Sequence, residues 1–499
     1  DAIRVNGRQL RCKVVAEGGN LGFTQLGRIE YALQGCGGIG GRIFTDAIDN
    51  SAGVDTSDHE VNIKILLGAV MLAGELDQEN RNALLASMTE EVGELVLVDN
   101  YRQNQALSVM ESMSAQRLGS FTHFIQTLES QGLLDRAIEF LPSDAELAER
   151  KAKGLGLTRP ELAVLLSYDK IVVFNQLLDS DVPEDPFLSK ELQRYFPKPL
   201  QEKYADYMLS HRLRREIIAT AVTNSLVNRM GSTFLLRMQE DTGETPAQVA
   251  KAYTIVRESM QARALWAEID ALDNTVPESV QIEALTGIWH LQRNLTRWMI
   301  ALPGLLPDIA RMVERYQEPF SVLLQSLPGA LTESDRGRFE AEFRRLSALG
   351  MSAQLAHFMA ALPFLDSSMD IIELSLREGQ SVKSVAQAHF ALSDALHINW
   401  LMAGIEALPV AGRWQAQARG VLRDELQAQQ RQLVSTVLGS LQAGKEPSEW
   451  VEAWLSRDDA ALKYTLGMFT DMRSLSEMDF PTLSVAVRRL AQIASTGTR

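Results

Sequence analysis

The chain has 499 residues, of which 45% are hydrophobic, and its 49 Lys and Arg against 64 Asp and Glu leave a net charge of −15. This length suits about two to four domains with buried cores. An acidic surface repels phosphate backbones and anionic lipids, so the composition argues against nucleic acid and membranes as partners. Cys12 and Cys36 are too few for a disulfide framework and have no metal-ligand spacing with any of the seven histidines, which predicts a cytoplasmic protein without a metal site.

The N-terminal residues predict no membrane or secretory segment. The longest apolar stretch, Ile63–Ala73, is too short to cross a bilayer and contains Lys64. The chain begins with Asp1 rather than with Met and a charged, then apolar, run. We therefore interpret it as part of a longer polypeptide.

The first elements in chain order predict a small α/β unit. Residues 2–16 alternate apolar and polar around Asn6–Gly7, which favours a hairpin leading into a buried strand at 12–16. Residues 24–33 have helical spacing, and residues 42–48 suit a second strand. Strand, helix and strand in succession predict a parallel crossover unit.

The remainder of the chain predicts helices. From about residue 51 onward, apolar residues recur every three to four positions. Capping boxes at Ser143 with Glu146, Thr158 with Glu161, and Thr245 with Gln248 mark three helix starts. The predicted fold is mainly α, with a short N-terminal α/β piece followed by a large all-helical region. Prolines predict breaks at 141–142, 182–186, 303–307 and 446–447.

A first polar, Gly-rich segment follows the strand predicted at 12–16. Gly18 and Gly19 have no side chains and allow a ligand to approach the backbone closely. Asn20 offers a donor and an acceptor together, which suits a ribose hydroxyl or a carboxamide. Taken alone, the segment also fits a simple turn.

A second polar segment, residues 46–57, follows the strand predicted at 42–48. Asn50 precedes the small residues of a predicted helix start, where free N–H groups favour an anion or a carbonyl oxygen. Ser57 is expected about one turn inside this helix. The alternative is an ordinary helix N-terminus with Ser51 or Asp49 as its cap.

Together the two segments carry a family resemblance. Val14–Asn20 and Asn50–Glu60 resemble the pattern of the glutamate dehydrogenases, and Leu21–Arg28 resembles the variant in the very large NAD-specific members from bacteria. The resemblance is strongest in residues 10–70 but spans the chain, since the helical C-terminal region of that large family is similar to residues 100–109, 156–170 and 211–237.

The resemblance implies a domain organisation and a cofactor. Residues 1–75 would be the C-terminal end of a Rossmann-type dinucleotide-binding domain, and residues 76–499 a helical region subdivided near 183, 305 and 446. NAD is expected on the resemblance alone. Gly18 and Gly19 would line its site, Asn20 would contact the nicotinamide ribose, and Asn50 the carboxamide.

The resemblance also implies the substrate contacts. Ser57 would bind the side-chain carboxylate of glutamate, with Val54 packing beside it. The chain departs from smaller family members at Ser51–Ala52, where Ala-Gly is usual, and at Asp58–His59, where aromatic residues are usual.

The activity implied is the conversion of L-glutamate, NAD and water to 2-oxoglutarate, ammonium and NADH. The family places its catalytic lysine and acid/base residue upstream of Asp1, so we assign no catalytic residue and expect the chain alone to be inactive. The upstream part of the polypeptide and further copies, as a homo-oligomer, are the expected partners. The alternative is a helical interaction or scaffold protein with a vestigial nucleotide-binding unit.

Three other patterns are predicted to lack a chemical role. Gly35–Gly41 matches the spacing of a dinucleotide-binding turn but follows a helix and precedes a strand, so we interpret it as an extra loop. His59 stands between two acids, but adjacent helix positions point in different directions, so no metal site is predicted. The basic residues in 211–237 favour a helix surface or a subunit interface over a nucleic-acid site.

Overall fold

The structure is a computed structural model that describes residues 4–19, 22–302, 308–410, 413–439, 447–457, 459–475 and 477–496. These ranges form 25 α-helices and three short 3-10 helices. In chain order the helices are α1 (Gln25–Gly38), α2 (Asp46–Asp49), α3 (Ser51–Leu72), α4 (Gln78–Ser87), α5 (Thr89–Ser112), α6 (Leu118–Ser130), α7 (Asp144–Ala152), α8 (Arg159–Leu178), α9 (Ser189–Tyr195), α10 (Lys198–Leu209), α11 (Arg214–Met230), α12 (Phe234–Thr242), α13 (Pro246–Ser259), α14 (Ala262–Asp270), α15 (Glu278–Ile300), α16 (Ile309–Ala330), α17 (Glu333–Ala348), α18 (Ala353–Leu365), α19 (Ser368–Glu378), α20 (Val382–Ala395), α21 (Ile398–Ala407), α22 (Arg413–Gly439), α23 (Pro447–Leu455), α24 (Ala460–Met472) and α25 (Phe480–Thr496).

The predicted N-terminal α/β piece is wrong. In the described ranges no strand forms, and the two predicted strands meet only in an isolated parallel β-bridge between Val14 and Arg42. Two backbone bonds make this bridge, from Val15 N to Arg42 O at 2.9 Å and from Arg42 N to Lys13 O at 2.9 Å. A strand needs partners along its length, and so short a pair is not a sheet. The Rossmann-type fold expected for this piece is therefore absent from the described residues.

The predicted hairpin at Asn6–Gly7 is also wrong. Gly7–Gln9 is a 3-10 helix, in which Asn6 O accepts from the backbone N of Gln9 at 3.0 Å. The Gln9 side chain returns the bond, because its Oε1 accepts from Asn6 N at 2.8 Å. Polar contacts within this turn thus replace the two-residue hairpin loop.

The glycines of Gly35–Gly41 have a structural reason. They end α1 in a turn where Gly41 N donates to Tyr31 O at 2.9 Å. A Cβ built on Gly41 would lie 2.0 Å from the Tyr31 ring, and one on Gly35 2.3 Å from it. Positions 35 and 41 must be glycine because the fully buried Tyr31 ring occupies the space of a side chain there.

The capping boxes mark real helix starts. Those of Ser143 with Glu146 and Thr158 with Glu161 are complete at the N-termini of α7 and α8. At α13 only half the box forms: the backbone N of Gln248 donates to Thr245 Oγ1 at 3.2 Å, but the buried Oε1 of Gln248 has no hydrogen-bond partner. Helix starts were thus predictable because a cap satisfies backbone donors locally.

The chain divides into two compact units. The first comprises Asp1–Thr254 with Met299–Ile309, and the second comprises Ile255–Trp298 with Ala310–Arg499. In the first unit α8 packs against α5 and α11 and is buried over residues 159–166. In the second unit α22 packs against α20, α21 and α25. Among the predicted breaks, 303–307 lies outside the described residues, as does position 446.

The length and apolar character of the described helices can be compared with what a bilayer requires. No single helix in these ranges is long and apolar enough to cross a bilayer. One pair of consecutive helices, Ala353–Leu365 and Ser368–Glu378, is together long and apolar enough by length and composition alone, but the two helices are bent by 78° relative to each other.

Candidate functional site

A buried ion pair anchors the first Gly-rich segment. The side chains of Glu17 and Arg28 are only 4% and 7% exposed, and Glu17 Oε2 lies 2.8 Å from both Nε and Nη2 of Arg28. The other carboxylate oxygen of Glu17 accepts from the backbone N of Phe23 at 2.8 Å. A buried carboxylate requires such partners. The pair therefore holds the residue before Gly18 against α1.

The same pair connects the two polar segments. The backbone N of Glu17 donates to Asp49 Oδ2 at 3.0 Å, and Arg28 Nη2 lies 3.4 Å from Asp46 Oδ1. Burial raises the pKa of the Asp49 carboxyl, while the bond from Glu17 N opposes this rise. Residues 17 and 49, which are 32 positions apart, are thus in direct contact. The structure brings the end of the first segment beside the turn that precedes α3.

The predicted cofactor residues differ in their surroundings. Gly18 and Gly19 are exposed, and a Cβ built on either would meet no atom within 4 Å. Asn20 lies outside the described residues. Asn50 is the N-cap residue of α3, and its Oδ1 would lie 3.2 Å from a Cβ built on Gly53. A glycine at position 53 therefore leaves room for the Asn50 amide over the first turn.

The predicted substrate residues lie on the exposed side of α3. Val54 is 66% exposed, and Ser57 is also exposed. The Ser57 hydroxyl donates to Val54 O at 2.7 Å. Positions 50, 54 and 57 follow the i, i+4, i+7 spacing of one helix face. We call this set, Asn50 with Val54 and Ser57, the open face of α3.

Helix α5 supports the turn before α3. The Nδ2 of Asn100 donates to Ile48 O at 2.8 Å and to Ser51 Oγ at 2.9 Å. Gln103 Nε2 donates to the same hydroxyl at 3.1 Å. Ser51 therefore serves a tertiary contact, and no side-chain bond caps α3 at its N-cap residue. The N-cap residue is Asn50, so the expectation that Ser51 or Asp49 would cap this helix in the alternative interpretation is wrong.

The opposite side of α3 carries a buried polar cluster. His59 is 2% exposed, its Nε2 lies 3.8 Å from Asp55 Oδ1, and its ring stacks on Tyr195 at 4.3 Å between centroids. The Tyr195 hydroxyl accepts from Asn62 Nδ2 at 2.9 Å. We call Asp55, His59, Asn62 and Tyr195 the buried cluster of α3. It joins α3 to α9.

Burial favours the uncharged forms of the titratable groups in and beside this cluster. It raises the pKa of Asp55 to about 7, with the charge of Asp99 on α5 adding to the rise. Burial lowers the pKa of His59. Burial also lowers the pKa of Lys170 on α8 to about 8, although the nearby Asp99 and Asp55 favour its charged form. Burial thus favours the uncharged forms of both Asp55 and His59.

Sequence reasoning missed the buried cluster, although a weak signal was present. Asp55 and His59 are four positions apart, which places them on one helix face. The acids beside His59 instead lie at the surface, and Glu60 pairs with Lys64. Among the described residues, no three His, Cys, Asp or Glu side chains are arranged to hold a metal ion.

The basic residues of 211–237 are engaged within the first unit. Arg214 and Arg215 both pair with Glu184, and Arg237 Nε lies 3.2 Å from Asp241 Oδ2. His211 Nε2 lies 3.1 Å from the backbone oxygen of Asn62. The contacts of His211, Arg214 and Arg215 attach α11 and its flanking turn to neighbouring elements, whereas the Arg237 pair lies within α12.

Comparison with known families identifies the class of protein. Residues 154–492 match the family described as glutamate dehydrogenase, C-terminal, and residues 1–110 match the one described as bacterial NAD-glutamate dehydrogenase, catalytic domain. The first match alone covers more than half of the chain. The chain belongs to the glutamate dehydrogenase family.

Individual relatives agree with this membership. Proteins named NAD-specific glutamate dehydrogenase are 40% identical over 498 residues in Halomonas elongata, 42% over 496 in Pseudomonas aeruginosa and 33% over 499 in Mycobacterium tuberculosis. The matches cover 99–100% of this chain and 30% of each relative. The chain therefore spans about 30% of the length of these curated relatives, and the predicted resemblance is confirmed.

Proposed function

We propose that the chain is the C-terminal portion of an NAD-dependent glutamate dehydrogenase, which converts L-glutamate, NAD and water to 2-oxoglutarate, ammonium and NADH. The chain belongs to this family, and the proposal rests on one further observation. The contact between Glu17 N and Asp49 Oδ2 joins the two segments that resemble the family's cofactor and substrate contacts. Two such segments in contact can act on one bound pair of reactants.

The residues of the first segment and the start of α3 fit a nicotinamide nucleotide. Gly18 and Gly19 leave their surroundings open for a ligand. Asn20 and Asn50 would supply uncharged amides, which can both donate to and accept from a ribose hydroxyl and a carboxamide. NAD, when bound, supplies the acceptor for the hydride that leaves glutamate. The task of these residues is to hold and orient it.

The open face of α3 fits the substrate side. Ser57 would turn its hydroxyl from Val54 O toward the side-chain carboxylate of glutamate, and Val54 would pack against the aliphatic carbons. A charge-assisted hydrogen bond of this kind is stronger than a neutral one. Specificity for glutamate would then depend on the exposed Ser57 hydroxyl, whose position along α3 is fixed by the helix.

The catalytic lysine and the acid/base residue of the reaction belong, on this proposal, to the upstream part of the polypeptide. Residues 1–75 contribute cofactor and substrate contacts, and residues 76–499 serve packing, self-association into a homo-oligomer or regulation. The assembled enzyme works in the cytoplasm. The acidic composition, with a net charge of −15, supports a small-molecule role over nucleic-acid binding.

The test compares this chain with the complete product of the gene that contains it. NADH formation from glutamate and NAD is followed by absorbance for both proteins. We expect turnover by the complete product and none by residues 1–499 alone. A complete product without activity would overturn the proposed function, whereas activity of residues 1–499 alone would overturn only the assignment of the catalytic residues elsewhere.

A further inference from the structure

Two helices of the second unit carry arginines one turn apart. Arg293 and Arg297 lie on α15, and Arg419 and Arg423 lie on α22. The i, i+4 spacing places each pair on one helix face. The two helices are adjacent at this level, because a Cβ built on Gly420 of α22 would lie 3.3 Å from Arg297 Nη1.

Three of these arginines have carboxylate or carbonyl partners. Arg297 Nη2 lies 2.6 Å from Asp424 Oδ2. Arg423 approaches Glu406 at 3.5 Å and Asp424 at 3.6 Å, distances too long for strong ion pairs. Arg419 Nη1 donates to the backbone oxygen of Glu406 at 3.1 Å. The available acids are thus shared among several guanidinium groups.

The fourth arginine, Arg293, has no ion pair. Its Nε and Nη2 donate to the Oδ1 of Asn294 at 3.2 and 3.0 Å, and its guanidinium lies 5.2 Å from the Trp289 ring centroid. No carboxylate oxygen of a described residue lies within 4.0 Å of it. Asp366 is reached only through Asn294, whose Nδ2 donates to Asp366 Oδ1 at 3.1 Å. Arg293 therefore has no direct ion pair with a described residue, and the charges of Asp366 and Glu406 act on it only at longer range.

The electrostatic state of Arg293 agrees with this geometry. Burial lowers its pKa to about 10, and the charge of Arg423 lowers it further, against the opposing effect of Glu406. An arginine pKa is ordinarily above 12. Arg293 as a whole residue is half-buried, Asp366 is exposed, and the Arg423 side chain is 15% exposed.

We propose that Arg293, together with Arg297 and Arg423, binds a small dianion between α15 and α22. The ligand class is a small molecule that carries a phosphate group or two carboxylates. Guanidinium groups bind both through paired, charge-assisted hydrogen bonds. A bound dianion would neutralise the repulsion between the arginines and tie α15 to α22. The site lies in the helical region and includes none of the residues proposed to contact NAD and glutamate.

Thermal unfolding of the complete chain tests this site. Inorganic phosphate and succinate are titrated separately, against potassium chloride at matched ionic strength. We expect at least one of the two dianions to raise the unfolding midpoint beyond the chloride control, because a ligand that binds only the folded state stabilises it. The concentration at half-maximal shift gives the apparent Kd.

The variant Arg293→Gln should raise that Kd at least about tenfold, since it removes hydrogen bonds to a charged ligand. Without ligand its unfolding midpoint should equal or exceed that of the parent chain, because the variant removes a half-buried charge that has no direct ion pair. Arg345→Gln is the matched control. Arg345 is a more exposed arginine of the same unit whose Nη2 lies 2.7 Å from both Glu283 and Glu342, so its loss should leave the dianion response unchanged.

The outcomes separate clearly. A response to phosphate alone, to succinate alone, or to both supports the site and identifies its ligand chemistry. No response to either, or an equal response in the parent chain and Arg293→Gln, overturns the proposal. If Arg293→Gln does not fold, Arg423→Gln is used, and it must raise the apparent Kd at least about tenfold as well.

Discussion

The two sides of α3 use polar residues in opposite ways. On the open face, Val54 and Ser57 are exposed, and the Ser57 hydroxyl contacts only the backbone of its own helix. On the other side, the buried cluster connects Asp55 and His59 to Tyr195 of α9. A substitution on the open face should therefore change ligand affinity and leave stability intact. A substitution in the buried cluster should change stability and leave ligand affinity intact. Of the four predictions that follow, those for Ser57 and Asp55 test this contrast directly.

The largest effect is expected from the ion pair that holds the first segment. Arg28→Met leaves the Glu17 carboxylate, 4% exposed, without its cationic partner. Removing one member of a buried ion pair costs about 3–5 kcal/mol in the free energy of unfolding. Urea unfolding followed by circular dichroism measures the loss.

Its control is Arg8→Met. Arg8 pairs with Glu30 at 3.6 Å, and its side chain is 60% exposed. An exposed pair contributes at most about 1 kcal/mol. If Arg28→Met and Arg8→Met lower the free energy of unfolding equally, the buried Glu17–Arg28 pair contributes no more to stability than an exposed pair.

The next effect concerns the open face and is a change in substrate affinity. Ser57→Ala in the complete enzyme should raise KM for glutamate by about 10- to 100-fold, because a hydrogen bond to a carboxylate is lost. The unfolding midpoint should stay unchanged. Steady-state kinetics at saturating NAD gives KM, and thermal unfolding gives the midpoint.

Thr56→Ala is the matched control for Ser57→Ala. Thr56 is also exposed on α3, and its hydroxyl donates to the backbone oxygen of Ala52 at 2.7 Å, as that of Ser57 does to Val54. It lies outside the open face, so its loss should leave KM nearly unchanged. Ser57→Ala with the KM of the parent enzyme would exclude the proposed carboxylate contact.

A third, smaller effect is a pH dependence of stability. The Asp55 pKa is about 7 in the folded chain and about 3.9 when unfolded, so the folded state binds the extra proton between these values. This contribution is fully present below about pH 4 and is lost as the pH rises through 7. Asp55→Asn should therefore stabilise the protein above pH 7, by about 1–2 kcal/mol after allowance for partial exposure.

Urea unfolding at pH 5 and pH 8 checks this sign. The stability difference between Asp55→Asn and the parent chain should be larger at pH 8. His59, whose pKa is lowered, destabilises the fold at acidic pH in both proteins and largely cancels in the comparison. Asp206→Asn, which removes a carboxylate at an exposed position of α10, is the control. If the stability difference between Asp55→Asn and the parent chain is the same at both pH values, the raised pKa of Asp55 in the buried cluster is contradicted.

The smallest expected effect is the loss of stability when an exposed helix cap with no proposed ligand role is removed. Ser143→Ala removes the cap of α7, whose Oγ accepts from Glu146 N at 3.3 Å, and should cost about 1 kcal/mol. Ser87→Ala removes an exposed hydroxyl that donates within its own helix, to Leu84 O, and should cost only a few tenths of this. Chemical denaturation distinguishes the two, and equal costs would show that the capping box adds nothing.

The amino-acid sequence by itself determined features that depend on nearby residues. Helical spacing and capping boxes located the starts of α7 and α8, because a helix satisfies its backbone within one segment. The residues of Val14–Asn20 and Asn50–Glu60 sufficed to recognise the family. The roles assigned to Gly18, Gly19, Asn20, Asn50, Val54 and Ser57 stay predictions that the experiments above address.

Only the tertiary structure decided which distant residues meet. The predicted strands at 12–16 and 42–48 failed because a strand is stable only with partners along its length, which alternation in a sequence cannot supply. The contact of Ser51 with Asn100 spans 49 positions, and the bond from Asn62 to Tyr195 spans 133. Burial, which sets the pKa of Asp55 and of Arg293, likewise arises only once helices pack against one another.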